Sequence, residues 1–210
     1  MSAKLDQYIF QQACMDDFDE IVDLYFYDFM VNEPFSIALA PQDEEMLEQV
    51  QNLIVAFRLL AVKARPVEIK ESSDVGEIKD ERSRHLFHMV ARCERQIWIK
   101  KPQCQKILSR ETTFVSPKHQ RKGIARKMLY ELLDINALIA DGVSAYVSEA
   151  TSIVNQTFLR KSGFEVLYDL REEEPELYED ETGKELCPMD DGTTTMLLMI
   201  KEFDKRTKAA

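Results

Sequence analysis

The stretch Thr113-Phe-Val-Ser-Pro-Lys-His-Gln-Arg-Lys-Gly-Ile-Ala-Arg-Lys-Met-Leu129 decides the fold, because it predicts a strand, a break and a helix in succession. The strand is expected over 107–115, and the segment 117–123 interrupts it. A helix is predicted next, because apolar side chains recur at the spacing of one helix face, at Ala125, Met128, Leu129, Leu132 and Leu133.

The charges in this stretch indicate an anionic ligand. No carboxylate occurs from Thr112 to Tyr130, whereas five permanently positive side chains crowd the break and the first helical turns: Lys118, Arg121, Lys122, Arg126 and Lys127. A helix N-terminus already carries partial positive charge, so cations are unfavourable there unless an anion compensates them. Gly123 lets the backbone approach a ligand closely, and a diphosphate fits the free amides of a first helical turn. The alternative is a basic, solvated surface that caps an ordinary helix.

The chain as a whole is acidic. Its 210 residues carry a formal net charge of −11, and their composition is that of one globular domain over 1–210. Such a charge disfavours nucleic acids and membranes as partners and favours a small cationic one. No apolar run approaches the roughly 18 residues of a membrane span. We expect a cytoplasmic protein with reduced thiols, because the first residues lack a secretion signal and the four cysteines form no Cys-x-x-Cys pair.

Downstream of the basic stretch, strands and helices alternate. Four elements are predicted in order: a strand over 143–147, a helix over 151–161, a strand over 164–170 and a strand over 193–200. The carboxylate-rich segment 171–192 is predicted to be an acidic, solvated loop. The fold class is therefore α/β, with ligands at the carboxyl ends of the parallel strands.

Upstream, the pattern is less regular. Five features are predicted in order: a strand over 8–13, a helix over 18–29, a helix over 43–57, a hairpin of 59–62 with 67–69, and a helix over 81–99. Pro34 should end the first helix, because proline disfavours a helical conformation in the residue before it. His85 and His88 could share one helix face, but no third metal ligand accompanies them, so we expect no metal site.

Two segments carry a resemblance to a known family. Gln120-Arg-Lys-Gly-Ile-Ala125 resembles the loop that binds the acetyl-CoA diphosphate in the Gcn5-related N-acetyltransferase (GNAT) superfamily, and Thr151 to Phe164, which ends in Lys-Ser-Gly-Phe, is similar to that superfamily's next helix. The resemblance implies a GNAT fold, a mixed sheet of six to seven strands flanked by helices, and a cofactor-binding half over about 105–170. It also implies that acetyl-CoA, the acetyl donor, is bound by Thr113, Phe114, Val115, Gln120, Arg121, Lys122, Gly123, Ile124, Ala125, Arg126 and Asn155.

A third segment narrows the resemblance. Asn32-Glu-Pro-Phe35 resembles the Asp-Glu-Pro-Leu segment of the invertebrate arylalkylamine N-acetyltransferases. This likeness implies that Glu33 removes a proton from the amine substrate, and it assigns catalytic roles to Thr151 and Asn155. Leu159 stands where many relatives have a tyrosine that protonates the leaving thiolate. The alternatives are that Glu33 is merely exposed at a helix end, and that Thr151 or Ser152 only caps a helix.

Three functions remain open at this point. The first is transfer of acetyl to a small primary amine, such as dopamine, tyramine, octopamine or serotonin, by direct attack in a ternary complex. The second is a catalytically weak or inactive protein that binds acetyl-CoA for regulation, as the absent tyrosine suggests. The third is acetylation of polyamines or of peptide amines.

Overall fold

The computed structural model describes residues 5, 7–30, 32–35, 54–69 and 81–203. Its helices are α1 (Phe18–Asp23, continued by a π-helix over Leu24–Phe29), α2 (Glu81–Lys100), α3 (Ile124–Met128), α4 (Ile135–Ala140), α5 (Ile153–Lys161) and α6 (Leu170–Glu173). Its strands are β1 (Ala56–Ala64), β2 (Lys106–Val115), β3 (Val143–Ala150), β4 (Glu165–Asp169) and β5 (Leu197–Glu202).

The strands form one mixed sheet in the order β1-β2-β3-β5-β4, in which only β2 and β3 run parallel. Apolar side chains cover both faces. On one face, Met89, Cys93 and Ile97 of α2 pack against β3, β4 and β5. On the other, Leu159 of α5 packs with Tyr146. The predicted α/β class is confirmed, but the part of the chain that the structure describes has five strands rather than six to seven.

A gap opens in the middle of this sheet. Pairing between β2 and β3 ends at Ser109 and Val147, although β2 continues to Val115 and β3 to Ala150. A β-bulge lies just beyond, because the register of β1 against β2 shifts between Leu59 and Leu60. The carboxyl ends of the two parallel strands are therefore not paired with each other, and this gap, the notch, is the position at which α/β sheets bind ligands.

Upstream of β2, the structure confirms two of the predicted elements and contradicts two others. The helices over 18–29 and 81–99 are confirmed. The strand over 8–13 is wrong, because this segment pairs with no strand of the sheet. Its Phe10 ring lies instead against Lys127 of the basic loop, the name used here for residues 117–127. The hairpin is also wrong, since the first segment belongs to the longer strand β1, which pairs with β2. Most of the predicted helix over 43–57 lies outside the described residues, and its last two residues open β1.

Downstream, the strands over 107–115, 143–147 and 164–170 and the helix over 151–161 are confirmed within a few residues. The helix after the basic loop is shorter than predicted: α3 ends at Met128, and Leu132 adopts a left-handed φ of 61° that no helix continues through. The final strand begins at Leu197 rather than at residue 193. The segment 171–192 is more packed than expected, because Leu177, Tyr178 and Cys187 are buried in the α2-side core.

Candidate active site

The loop at the mouth of the notch has an unusual backbone. Arg121 has a left-handed φ of 59° and Gly123 one of 89°. A residue with a Cβ adopts this conformation at a cost of about 1–2 kcal/mol, which marks Arg121 as a strained position of the kind found at functional sites. Gln120 ties the loop to the end of β2, since its Nε2 donates a hydrogen bond of 3.0 Å to the Val115 carbonyl oxygen. No side chain of the described residues caps the first turn of α3.

Aromatic side chains near the N-terminus accompany the cations of this loop. Lys127 Nζ lies 4.4 Å from the ring centre of Phe10, and Lys122 Nζ lies 5.8 Å from that of Tyr8. The Tyr8 hydroxyl and His119 Nδ1 are 2.9 Å apart. Burial, followed by the charges of two neighbouring lysines, lowers the pKa of His119. Lys127 also lies 3.9 Å from the Glu131 carboxylate, whereas no ion pair within the described residues involves the other four cations of this stretch. The short α3 adds little dipole to their charge.

The last residues of β2 form one wall of the notch. Thr113, Phe114 and Val115 pair with β1 on one edge, so their other edge faces the gap toward β3. In an antiparallel pair every second residue directs its N–H and C=O groups away from the partner strand. The Thr113 hydroxyl is buried and has no hydrogen-bond partner among the described residues. This wall can therefore offer main-chain groups and one hydroxyl to an extended ligand.

The start of α5 forms the opposite wall. Ser152 caps this helix, because its Oγ accepts a hydrogen bond of 3.2 Å from the Asn155 backbone amide. The capping alternative therefore holds for Ser152, whereas half-buried Thr151 precedes the cap. Asn155 Oδ1 accepts a hydrogen bond of 3.2 Å from Arg110 Nη1 on β2. One turn further along, Leu159 is fully buried in the core.

Glu33 is buried rather than exposed at a helix end. Its relative exposure is 9%, and Phe35, two residues later, is fully buried in the core beside α2. Burial, with a contribution from the Glu33 charge, raises the pKa of Tyr25, which places the two side chains near each other. Tyr25 belongs to an aromatic cluster whose successive ring centres lie 5.2–6.1 Å apart; its members are Tyr25, Phe26, Phe29, Phe57 and Phe114. This aromatic cluster connects Glu33 with the end of β2.

A basic cluster, Arg58 and Arg110, lies on the α5 side of the sheet and was not predicted. Burial lowers the pKa of Arg110 to about 10, so the guanidinium stays charged at neutral pH. Arg58 donates from Nη2 to the Glu131 carbonyl oxygen at 2.9 Å, while its Nη1 is buried without a hydrogen-bond partner in the described part of the chain. Tyr146 lies next to both arginines, and burial raises its pKa.

An acidic cluster lies on the opposite, α2 side and was also not predicted. It consists of Glu94, Glu111 and Glu149 around Lys63, whose Nζ is 2.7 Å from Glu94 and 2.9 Å from Glu111. Burial raises the pKa of Glu149 to about 7, and the Glu94 charge adds to the rise. Charged residues inside β1, β2 and β3 were the available signal, because predicted buried strands rarely carry them.

The competing sites have structural explanations. His85 Nε2 contacts the Leu177 carbonyl oxygen at 2.8 Å, and His88 Nε2 accepts a hydrogen bond from Arg92. The described residues contain no group of three or more side chains suited to a metal ion. Within the same residues, no helix is both long enough and apolar enough to cross a bilayer. All four cysteines are free thiols.

Comparison with solved structures settles the architecture. An arylalkylamine N-acetyltransferase from Aedes aegypti superposes with a TM-score of 0.73 at 16% identity, over 92% of this chain and 98% of its own. A Drosophila melanogaster polyamine N-acetyltransferase that forms N-acetylagmatine gives a TM-score of 0.69 at 11% identity, over 92% and 98% of the two chains. The chain has the GNAT fold.

The chain is also similar in structure to a domain that is not named as an N-acetyltransferase. The C-terminal condensation domain of Ebony, in complex with β-alanyl-dopamine, superposes with a TM-score of 0.61 at 15% identity, over 91% of this chain and 96% of its own. No protein-family model and no curated protein sequence matches the chain. At such low identities the likeness establishes the fold, and the substrates have to be argued from the site.

Proposed function

We propose that the protein is an acetyl-CoA-dependent N-acetyltransferase that acts on a small primary amine of the arylalkylamine class, such as dopamine, tyramine, octopamine or serotonin. The observation that carries this proposal is the notch between β2 and β3, with the basic loop at its mouth. Solved structures with this fold are described as arylalkylamine and polyamine N-acetyltransferases, which supports acetyl transfer to an amine.

The residues present fit the acetyl donor, which supplies the activated acetyl group as a thioester. Loop residues 120–126, with Arg121 and Gly123 in left-handed conformations, would hold its diphosphate, and the basic side chains would neutralise the phosphate charges. Thr113, Phe114 and Val115 present an unpaired strand edge that would hold the pantetheine amides. Asn155 would approach the same arm from α5.

The α2 side of the notch would bind the amine. The aromatic cluster provides ring faces and edges for an aryl group, and buried Glu33 provides a carboxylate for the ammonium group. An alkylammonium has a pKa of about 10, so the amine must lose a proton before it can attack. Glu33 is the proposed base, acting directly or through water.

The attack itself needs orientation and charge stabilisation. The neutral amine nitrogen attacks the thioester carbon, and a backbone amide near Val115 would stabilise the oxyanion that forms. Both reactants would be held in one notch, which converts a collision between two molecules into an oriented encounter. We therefore propose direct transfer in a ternary complex rather than through an acetylated side chain.

A thiol-release assay tests this function. Wild-type protein is incubated with acetyl-CoA and a panel of arylalkylamines, polyamines and Lys-containing peptides, and free coenzyme A is measured. We expect release that is fastest with an arylalkylamine and that Glu33→Ala suppresses. Faster release with polyamines or peptides would show that the proposed substrate class is wrong. Absence of release with every amine would refute the proposed acetyltransferase activity.

A regulatory protein that binds acetyl-CoA without turnover is the second candidate. Leu159 favours it, because this fully buried aliphatic side chain cannot protonate a thiolate. Calorimetry separates the two candidates: acetyl-CoA binding without thiol release supports the regulatory protein, and absence of binding refutes both. The single domain and the cytoplasmic location stay predictions.

A further inference from the structure

Arg110 is a buried cation whose hydrogen-bond partners are neutral. Its relative exposure is 6%, and its Nη1 donates two hydrogen bonds of 3.2 Å, to Ser148 Oγ on β3 and to Asn155 Oδ1 on α5. Both acceptors are neutral, and no carboxylate of the described residues forms an ion pair with it. A buried charge is normally paired with an opposite charge, because taking it out of water is costly. Arg110 therefore calls for a reason beyond packing.

The position of Arg110 supplies one. Pairing of β2 with β3 ends at Ser109, so Arg110 is the first residue of β2 beside the open notch. Its side chain crosses from β2 to β3 and to the first turn of α5, the two elements on the far side of the gap. The guanidinium thus joins both walls at the apex of the notch.

This contact determines which way the Asn155 amide faces. A guanidinium only donates hydrogen bonds, so the atom that Arg110 contacts must be the amide oxygen. The Nδ2 group, with its two N–H donors, then points away from Arg110. Asn155 is only partly buried, so these donors remain accessible to a ligand.

Asn155 also lies close to residue 159, the position at which many relatives have a tyrosine that donates a proton. It precedes Leu159 by four residues on α5, so the two side chains share one helix face and lie about one turn, 5.4 Å, apart. Leu159 points into the core and offers no polar group. Asn155, in the first turn of α5, is polar and lies closer to the carboxyl ends of β2 and β3 than Leu159 does.

We propose that Arg110 is a positioning residue that turns the Asn155 amide N–H into the notch, where it donates a hydrogen bond to the sulfur that leaves the acyl donor. This inference rests on the proposed acetyl transfer and deepens it. As the amine nitrogen forms its bond to the carbonyl carbon, the carbon–sulfur bond breaks and sulfur keeps the electron pair. The proton lost by the amine goes to Glu33, and the thiolate later takes a proton from solvent.

Two features of the pair would stabilise that thiolate. The amide N–H donates directly to the developing negative charge, and the guanidinium behind it adds a positive charge at low local dielectric. A proton need not be delivered at the moment of bond cleavage. The chain can therefore function without a tyrosine at residue 159.

Asn155→Asp provides the test, because it keeps the shape and the oxygen that Arg110 contacts but removes the N–H donors. We expect kcat to fall on the order of 10- to 100-fold in the thiol-release assay. The affinity for acetyl-CoA should fall by less than kcat does, and the melting temperature should stay equal or rise, because the new carboxylate compensates Arg110. Loss of turnover without loss of stability is a pattern that a merely structural pair cannot produce.

Two further variants guard against misfolding and nonspecific effects. Arg110→Met removes a buried charge with little change of volume, so it should fold and should lower kcat by a similar factor. Ser148→Ala removes the other acceptor of Arg110 and leaves Asn155 in place, so kcat should stay within about twofold. Unchanged kcat in Asn155→Asp or in folded Arg110→Met would overturn the inference. Wild-type protein that releases no thiol would overturn the proposed function as well, which distinguishes the two failures.

Discussion

The side chains of two neighbouring β2 residues, Arg110 and Glu111, lie on opposite faces of the sheet. Arg110 belongs to the basic cluster on the α5 side, where its hydrogen-bond partners are neutral. Glu111 belongs to the acidic cluster on the α2 side, where Lys63 lies between it and Glu94. The side chains that line the two sides of the notch therefore carry charge of opposite sign. A basic side suits an anionic donor and a leaving thiolate, and an acidic side suits a cationic amine.

This difference separates two kinds of effect. Changes on the α5 side or in the basic loop should alter the binding of the acyl donor or the departure of its sulfur. Changes on the α2 side should alter the binding or the deprotonation of the amine. A variant on one side that alters the binding of the other side's partner would contradict this separation.

Glu33→Gln should give the largest effect. We expect kcat to fall by about 100- to 1000-fold, because an amide cannot accept the proton of the amine. The dissociation constant for acetyl-CoA, measured by calorimetry, should not change. The matched control is Glu176→Gln, an exposed glutamate on the acidic segment, which should retain wild-type activity. A weakened affinity for acetyl-CoA in Glu33→Gln would contradict the division between the two sides.

Arg121→Glu comes next. It reverses one charge of the loop, so the dissociation constant for acetyl-CoA should rise by about 10- to 100-fold at low salt. Wild-type affinity should itself fall with added salt, because exposed charges are screened over about 10 Å at 0.1 M. Lys184→Glu changes the net charge by the same amount at an exposed site and should leave binding unchanged. Affinity that is independent of salt would count against a diphosphate on this loop.

Glu149→Gln should change the pH dependence of stability. Burial raises the pKa of Glu149 from 4.5 to about 7, so between these values the native state holds a proton that the unfolded chain releases. Wild-type stability should therefore fall as pH rises through this window, and the loss should persist above pH 7.

The glutamine variant has no such group to ionise. Its melting temperature should match the wild type near pH 4.5 and exceed it at pH 8, by the equivalent of about 3 kcal/mol. Glu94→Gln is the matched comparison on the same side, and it should be destabilising at pH 8 because Glu94 is paired with Lys63. If the melting temperatures of wild type and Glu149→Gln depended on pH in the same way, the pKa of Glu149 would not be raised in the folded protein.

Phe114→Leu should give the smallest effect. Loss of one ring from the aromatic cluster should raise KM for an arylalkylamine by about 3- to 10-fold, through lost ring contacts. KM for a linear aliphatic amine should stay the same. Phe18→Leu, at an exposed aromatic, controls for general changes. An equal rise in KM for both amines would mean that the cluster supports the fold rather than the substrate.

The sequence predicted those parts of the fold that local periodicity determines. The long helix α2 and the strands β2 and β3 show clear spacing of apolar residues, and their positions are confirmed. The hairpin at 59–62 and 67–69 was wrong, because the true partner of β1 is β2, whose residues lie about 50 positions further along the chain. Local patterns cannot identify so distant a partner.

The candidate site divides in the same way. The basic loop is contiguous, so its charges and Gly123 were visible in the sequence. The contact of Arg110 with Asn155 joins residues 45 positions apart, and the acidic cluster joins β1, α2, β2 and β3. Only the sheet register brings these side chains together. The local signals were charged residues inside these strands, such as Arg110 in the buried segment 107–110 of β2.

A crystal structure of the protein with coenzyme A tests the central claim most directly. We predict that the diphosphate lies on loop residues 120–126, that the pantetheine arm lies between β2 and β3, and that the thiol is within hydrogen-bond distance of Asn155 Nδ2. A nucleotide bound at any other surface, with the gap between β2 and β3 still unfilled, would contradict the account.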